Sequence, residues 1–562
     1  MNFKFLFITT LLINAFVNVF SQQRPKLAVG IVVDQMRYDY IYKYWDKYGN
    51  GGFKKLVSEG YFCKNNHYNY VPTYTGPGHA SIYTGTTPSY HGIVANDWFD
   101  RDSKKFMYCV QDDSIKAKSS EQNKSANNLL STTITDELEL FTNKKAIVIG
   151  CSYKDRGAIL PAGHMADAAY WLDKKTGAFV TSPYYTSENP TWVNNFNDLK
   201  LADQYLQGDW NTMLPIEQYT ESIADDNIYE GNFNGGGHTF PYNLKELKQK
   251  SGSYDIIGRT PFGNSILKDF ALYALDNTEL GKDNITDFLC VSFSSTDLVG
   301  HQFTPTSIEV EDTYLRLDKD IEALLNKLNS KIGKDNYILF LTADHAAAFN
   351  PNYLMDNKIP AGYFKEDEYK DSLKLFMLQK FGTTAYLDTI INCNVYLNRE
   401  ALSKRWYPLE YFQDHLVKYT MQFEGVRSVI TSENANKNEY SNSSKSFNYA
   451  GMNYKRSGDL QLILQPGWFD PHKGKNGYVL TGTTHGTSYT YDTHVPLLWY
   501  GANIPAGETA RKTEITDIAT TLSFLLNIPL PSAAIGQPIL EILPSTQKET
   551  KQKDEKKDWN RW

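Results

Sequence analysis

Residues 26–34 read Lys-Leu-Ala-Val-Gly-Ile-Val-Val-Asp. An unbroken apolar, largely β-branched run of this length suits a strand covered on both faces, the kind found in parallel α/β sheets. Asp34 closes it. Two further runs repeat the pattern: 288–293 shortly before Asp297, and 337–341 shortly before Asp344. Ligands of open α/β sheets gather beyond the carboxyl ends of the strands. Three acids at three such ends therefore predict one sheet edge that carries them all. A fourth run, 495–500, begins ten residues after His485. Pro496 cannot donate to a ladder, which places that strand at an edge or makes it start late. The predicted fold class is α/β, with a central, mostly parallel sheet flanked by helices.

Helical patterns fit between these strands. From Thr306 to Leu328 apolar residues recur mostly three and four apart, with Thr306 or Ser307 as the start. Segment 513–526 carries Ile515, Ile518, Leu522, Leu525 and Leu526 and stops before Pro529, which predicts a helix packed on the sheet. In 157–285 and again in 346–480 the periodicity weakens and Gly, Asn, Tyr and Trp accumulate. These stretches read as insertions that build a cap or the walls of a cleft. Segment 435–445 is rich in Asn, Ser and Lys and reads as an exposed loop.

The ends of the chain differ from its body. A single Lys, an apolar run over 5–20 and then Ser21-Gln22-Gln23 form a signal-peptide pattern over residues 1–21. Thr9, Thr10, Asn14 and Asn18 interrupt the run and make it a poor membrane span. No later stretch is long and apolar enough to insert. The expected mature protein is exported, to the periplasm or beyond, as one catalytic domain over 24–544. The polar tail 545–562 reads as disordered. A formal net charge of −7 argues against a nucleic-acid partner. The five cysteines include no Cys-x-x-Cys pair, so their pairing is not legible; an odd number leaves at least one thiol unpaired within the chain.

The chemistry sits in the spaced acids and imidazoles. His301 follows Asp297 by four residues, so on a helical turn both face one way. Asp344 and His345 are adjacent and serve one ion if the backbone turns, or two ions if it does not. Mixed Asp and His ligands favour zinc among the common divalent ions. Two such ions about 4 Å apart divide the labour of ester cleavage, one activating a nucleophile and the other neutralising the departing oxygen.

Tyr74-Thr75-Gly76-Pro77-Gly78-His79-Ala80-Ser81 reads as a tight turn feeding a helix, with Pro77 in its first turn. Free N–H groups there favour an anion. Thr75 is then either a hydroxyl nucleophile or a simple N-cap, and spacing does not separate the two. His79 reads as structural. On an extended segment Lys154 and Arg156 share a side and would grip a dianionic monoester better than a diester monoanion. An isolated basic pair is more often a solvated surface run. Asn96 is a turn residue with an amide available to a phosphate oxygen.

Together these residues resemble the alkaline phosphatase superfamily, most closely its exported bacterial phosphate-monoester hydrolases that use Thr in place of Ser. The match spans essentially the whole mature chain. It is carried by Val-Val-Asp-Gln-Met-Arg (32–37), Val-Pro-Thr-Tyr-Thr-Gly-Pro-Gly-His-Ala-Ser (71–81), Lys-Asp-Arg (154–156), Thr-Ala-Asp-His (342–345) and Thr-His-Gly (484–486). The resemblance implies an alkaline-phosphatase-like sandwich and two zinc ions per chain. It makes Thr75 the covalently phosphorylated nucleophile, touching the metal held by Asp34, Asp344 and His345. Asp297, His301 and His485 would hold the metal facing the leaving group, with His494 as a rival to His485. Asn96, Lys154 and Arg156 would contact the phosphate. The implied activity is hydrolysis of small phosphate monoesters by a monomer of broad range. The rivals are a nucleotide phosphodiesterase or pyrophosphatase on the same frame, and an exported glycan-binding protein suggested by the Tyr- and Trp-rich insertions. No Cys-x-Pro-x-Arg run surrounds Thr75, which argues against a sulfatase.

Overall fold

The computed structural model describes residues 24–544 except 118, 438–446, 448, 472, 475 and 476. The segments read as signal peptide and tail lie outside the described residues. Thirteen strands matter here: β1 (Leu27–Val33), β2 (Tyr61–His67), β3 (Val148–Ser152), β4 (Ala168–Leu172), β5 (Phe179–Val180), β6 (Asp287–Phe293), β7 (Tyr337–Thr342), β8 (Leu387–Ile391), β9 (Asn394–Leu397), β10 (Val426–Thr431), β11 (Leu460–Leu464), β12 (Leu497–Gly501) and β13 (Gly507–Glu514).

The central sheet runs β13-β2-β12-β7-β1-β6-β3-β4-β5. Its middle is parallel: β1 pairs with β6 and β7, β6 with β3, and β3 with β4. Every residue of β1, β6 and β7 is buried, as their continuous apolar runs require. Burying each Val, Leu, Ile or Phe side chain contributes about 1.5–3 kcal/mol. Those contributions hold a sheet edge on which polar groups are then buried at a cost. β12 starts at Leu497, just after Pro496, and lies inside the sheet between β2 and β7, antiparallel to both. The late start, not the edge position, is how the chain accommodates the proline.

Helices cover both faces. The important ones are α1 (Thr75–Thr84), α2 (Asp155–Ala162), α3 (Phe262–Asn277), α4 (Ser295–Phe303), α5 (Ile308–Lys331), α6 (Glu366–Phe381) and α7 (Asp517–Leu526). The Ser307 hydroxyl accepts from the Val310 N–H and caps α5. The expected helix over 513–526 is shorter than its pattern. Residues 507–514 pair with β2 as β13, and only Asp517–Leu526 is helical. Edge pairing satisfies those backbone groups, and tertiary context overrides the local period.

Segment 157–285 contributes β4 and β5 to the central sheet and packs α3 against β6 and α5. Within 346–480 a separate antiparallel sheet, β8-β9-β11-β10, buries its own apolar cluster beneath α6. Residues 435–437, expected in a loop, end a short helix, Ser432–Lys437; the rest of that loop, 438–445, lies outside the described residues. All five cysteines are free thiols.

Glu309 in α5 is fully buried and accepts a hydrogen bond from Tyr242 (2.5 Å). Burial, reinforced by nearby Asp225, pushes its carboxyl up to about 8, and burial and Glu309 push Glu230 up beside it. The folded chain therefore holds protons that the unfolded chain gives up. The stabilisation is complete below the ordinary Glu range and is lost as pH rises toward about 8. Glu309→Gln should flatten that loss: between pH 5 and 8.5 its Tm should fall less than that of the unmodified protein. Parallel Tm curves would show that Glu309 is not the titrating group.

Candidate active site

The carboxyl ends of β7, β1, β6 and β3 lie side by side. Asp34 follows β1, Asp297 lies in the first turn of α4 after β6, and Asp344 follows β7 by two residues. The Asp34 N–H donates to Phe293 O (3.0 Å), which locks the exits of β1 and β6 together. All three carboxylates are buried. Gln35 ties two of them: its backbone N–H donates to Asp344 Oδ1 (3.1 Å) and its Nε2 to Asp297 Oδ1 (2.7 Å). Gln35 adopts a left-handed backbone (φ 65°). Its side chain lies so close to α4 that a methyl group at Gly300 would sit 1.9 Å from Gln35 Oε1.

Three imidazoles face these acids in one tautomer. His301 Nδ1 donates to Thr483 O (2.7 Å), His345 Nδ1 to Ala346 O (3.0 Å) and His485 Nδ1 to Thr73 O (2.7 Å). Each Nε2 is left as the inward end. His301 Nε2 lies 3.1 Å and His485 Nε2 3.6 Å from Asp297 Oδ1. His345 Nε2 lies 3.5 Å from Asp34 Oδ1 and 3.7 Å from Asp344 Oδ2. Burial holds His345 and His485 below the ordinary imidazole range, hence neutral. For His301 burial works against the charge, but Asp297 outweighs it and draws its pKa up.

At His345 and His485 a lone pair faces a carboxylate, which needs a positive centre between them. Asp34 Oδ1 and Asp344 Oδ2 are moreover buried without a well-formed hydrogen bond; the nearest donor to Asp344 Oδ2 is His79 Nδ1 at 3.3 Å, a nitrogen already engaged on Thr75 O. Two groups have ligand atoms that all lie within 4.8 Å of one another: Asp297, His301 and His485, and Asp34, Asp297 and His345. Asp344 borders the latter, its Oδ2 lying 3.7 Å from His345 Nε2. This donor set fits two cations sharing the region of Asp297. His494 is elsewhere: its Nε2 bonds Lys64 O and its ring stacks on Tyr38 and His67.

Thr75 is the first residue of α1, and the capping position belongs to Tyr74. The Thr75 hydroxyl does not cap; its Oγ1 lies 3.5 Å from His345 Nε2 in a nearly sealed position. The helix N-terminus, with its positive end, therefore opens on this oxygen. Gly78 lets α1 approach: a methyl group there would lie 2.3 Å from Asp344 O. His79 has both ring nitrogens engaged, on Thr75 O (2.9 Å) and Ser292 Oγ (2.8 Å), which is a structural role. Asn96 Oδ1 accepts from the Gly76 N–H (2.8 Å), so its amide NH2 is the end left for a ligand.

Lys154 and Arg156 depart from the expected extended geometry. Lys154 is the N-cap of α2 and Arg156 its second residue, so the helix separates their directions. Both still line one cavity of about 610 Å³, with Tyr108, Lys124 and Lys174. Lys154 Nζ bridges Asp34 Oδ2 (2.7 Å) and Asp297 Oδ2 (2.6 Å). Burial works against its charge, but the two carboxylates outweigh it and hold the ammonium protonated. Arg156 Nη1 donates to the Tyr108 hydroxyl (3.1 Å), which in turn donates to Asp155 Oδ1. Sequence reasoning missed Gln35, Tyr108 and the strand that presents Lys154. Only the strand had a signal, the apolar β-branched run at 146–151.

The fold and this site define a member of the alkaline phosphatase superfamily. The chain belongs to the type I phosphodiesterase / nucleotide pyrophosphatase family, whose model matches residues 28–488. It groups with the PafA-like Thr-nucleophile monoesterases of that superfamily. It is 45% identical over 528 residues to a Myroides odoratus protein named calcium-transporting ATPase, covering 93% of this chain and 95% of the relative. It is 44% identical over 527 residues to alkaline phosphatase PafA of Elizabethkingia meningoseptica, covering 92% and 95%. A crystal structure of wild-type alkaline phosphatase PafA superposes with a TM-score of 0.88 at 43% identity, covering 92% of this chain and 99% of that one.

Because Asp297 contributes to both clusters, Asp297→Ala should abolish stoichiometric binding of two divalent cations per chain, whereas His301→Ala should weaken only one. Metal analysis after equilibrium dialysis checks this. Retention of one full equivalent by Asp297→Ala would separate the two sites.

Proposed function

We propose that the chain is a two-zinc phosphate monoesterase acting through a phosphorylated Thr75. The observation that carries this reading is the convergence of Thr75 Oγ1, His345 Nε2 and the orphaned carboxylate oxygens of Asp34 and Asp344 at the N-terminus of α1. In this reading Asp34, Asp344 and His345 hold one cation, Asp297, His301 and His485 hold the other, and Asp297, which belongs to both clusters, also supports the first. The mixed oxygen and imidazole set favours zinc. Bound there, the cations supply a depressed hydroxyl pKa at Thr75 and charge neutralisation at the departing oxygen.

The chain's own residues do the rest. Thr75 Oγ1 attacks phosphorus in line with the departing alcohol oxygen, and water later cleaves the Thr75 phosphoester from the opposite side. The positive end of α1, the Asn96 amide, Lys154 and Arg156 bind the non-bridging oxygens, where charge is spread in a loose transition state. Lys154 exchanges a contact with Asp34 or Asp297 for one with the phosphate. Arg156, steadied by Tyr108, offers a second cation to a dianion.

The family description also names phosphodiesterases. A diester carries one negative charge where a monoester carries two, so a site with Lys154 and Arg156 on one cavity favours the monoester. Cleavage of a phosphate ester or anhydride is common to the names of both relatives. Among the described residues no helix is long and apolar enough to cross a membrane. The wider reading is of a periplasmic or secreted monomer of broad range. The second sheet, β8 to β11, forms one wall of its cleft.

Thr75→Ala should lower monoester kcat/KM by about a thousandfold or more and abolish labelling by radioactive phosphate monoester. Label retained at an undiminished level would remove Thr75 as the nucleophile. Lys154→Ala combined with Arg156→Ala should cost about a hundredfold or more on a monoester and markedly less on a methyl diester of the same phenol. Equal losses would defeat the charge argument.

A further inference from the structure

We infer that the cavity between the catalytic body and the second sheet seats the alcohol portion of the substrate, and that it selects an uncharged, hydroxyl-bearing ring. The inference rests on the monoesterase reading and names the substrate class of that site.

The cavity has a volume of about 220 Å³ and is lined by Tyr74, Trp468, Phe469, Gln461, Asp470 and His485, among others. In-line displacement puts the departing oxygen opposite the Thr75 nucleophile. The cavity holding Lys154 and Arg156 accounts for the phosphate, and the one holding His485 adjoins the site on the side of the Asp297, His301 and His485 cluster. Its volume exceeds the 150 Å³ that accommodates benzene in an engineered void, yet lies below the ordinary range for drug-sized ligands. One ring fits, and a dinucleotide does not.

The lining specifies the ring's chemistry. Tyr74 packs edge-on against the His485 ring, with centroids 5.6 Å apart. The indole of Trp468 packs over Gly425 and Gly362, either of which would collide with it if it carried a methyl group. These surfaces suit a flat or saturated ring face. In β11, Leu460, Leu462 and Leu464 point into the second sheet's own core, while Ile463 packs with Val71 of the catalytic body. Gln461 shares the Ile463 face of that strand. It is 4% exposed, and its Oε1 has no hydrogen-bond partner. Its Oε1 is closed off in this conformation, so a ring hydroxyl reaches it by a turn of the Gln461 side chain toward the cavity, and the bond recovers the cost of an unpaired buried amide oxygen, about 1–3 kcal/mol. A water in the small void beside Asn392 and Asn394 is the competing partner. Charge sets the last limit. The described lining includes Asp470 and no Lys or Arg, so a second phosphate on the alcohol is disfavoured.

Ethyl phosphate, cyclohexylmethyl phosphate and glucose 6-phosphate are primary alkyl esters of similar leaving-group basicity, so ratios of kcat/KM among them report the cavity. Trp468→Ala should lower the ratio of either ring ester to ethyl phosphate by about tenfold. Gln461→Leu, close to the original volume, should lower glucose 6-phosphate relative to cyclohexylmethyl phosphate by about tenfold, and it carries the test should Trp468→Ala fail to fold. In the unmodified enzyme fructose 1,6-bisphosphate should be a poorer substrate than glucose 6-phosphate, and Asp470→Asn should narrow the gap. Ratios unmoved in both cavity variants overturn the inference. A Gln461→Leu ratio unmoved while Trp468→Ala shifts its own overturns hydroxyl selection and assigns the buried oxygen to water. Failure of the unmodified enzyme to cleave ethyl phosphate would instead remove the monoesterase reading.

Discussion

Three carboxylates buried within reach of one another are the constraint around which this molecule is arranged. The effective cost of moving even one carboxylate from water into a protein interior is several kcal/mol, and Asp34, Asp297 and Asp344 also repel one another. Burial and the charge of Asp344 push Asp34 well above the usual carboxylate range. His301 and Lys154 overcome burial to hold Asp297 well below it. Such a cluster persists only where positive centres enter it. Lys154 supplies one from the chain itself, the α1 terminus adds a partial one, and the orphaned oxygens with three inward-facing imidazoles prepare for two more.

The surrounding architecture follows from that need. Adjacent parallel strands bring their carboxyl ends to one edge, which concentrates acids that lie hundreds of residues apart in sequence. Close packing is then unavoidable: Gly78 and Gly300 stand where any side chain would displace Asp344 or Gln35. The backbone carbonyls that orient the imidazoles come from loops, Thr73 before α1 and Thr483 before His485. Both loops therefore serve the site twice, through a carbonyl and through the residue two positions on, Thr75 and His485. The two cavities differ in charge, one lined with Lys154 and Arg156, the other aromatic and acidic.

Much of this was legible in the chain. The apolar runs before Asp34, Asp297 and Asp344 specify fully buried strands, because no exposed strand tolerates such continuity. The four-residue spacing of Asp297 and His301 is a helical spacing, and α4 uses it. The helix expected over 513–526 loses its beginning to β13, where pairing with a distant strand outweighs local period. Lys154 and Arg156 looked like one face of an extended segment, but the chain turns helical directly after β3. A few residues of sequence hold too little information to place that transition.

The sequence alone determined that the fold is an α/β sheet and that acids and imidazoles follow its apolar runs, because hydrophobic continuity and residue type are local properties. Only the tertiary structure decided which carboxylate is shared between the clusters and which nitrogen of each imidazole faces inward. It alone gave Gln35 and Tyr108 their work, and set Gln461 against a cavity. Those outcomes depend on distances and hydrogen-bond partners contributed by segments far apart along the chain. Such distances exist only once the strands have paired and the helices have closed over them.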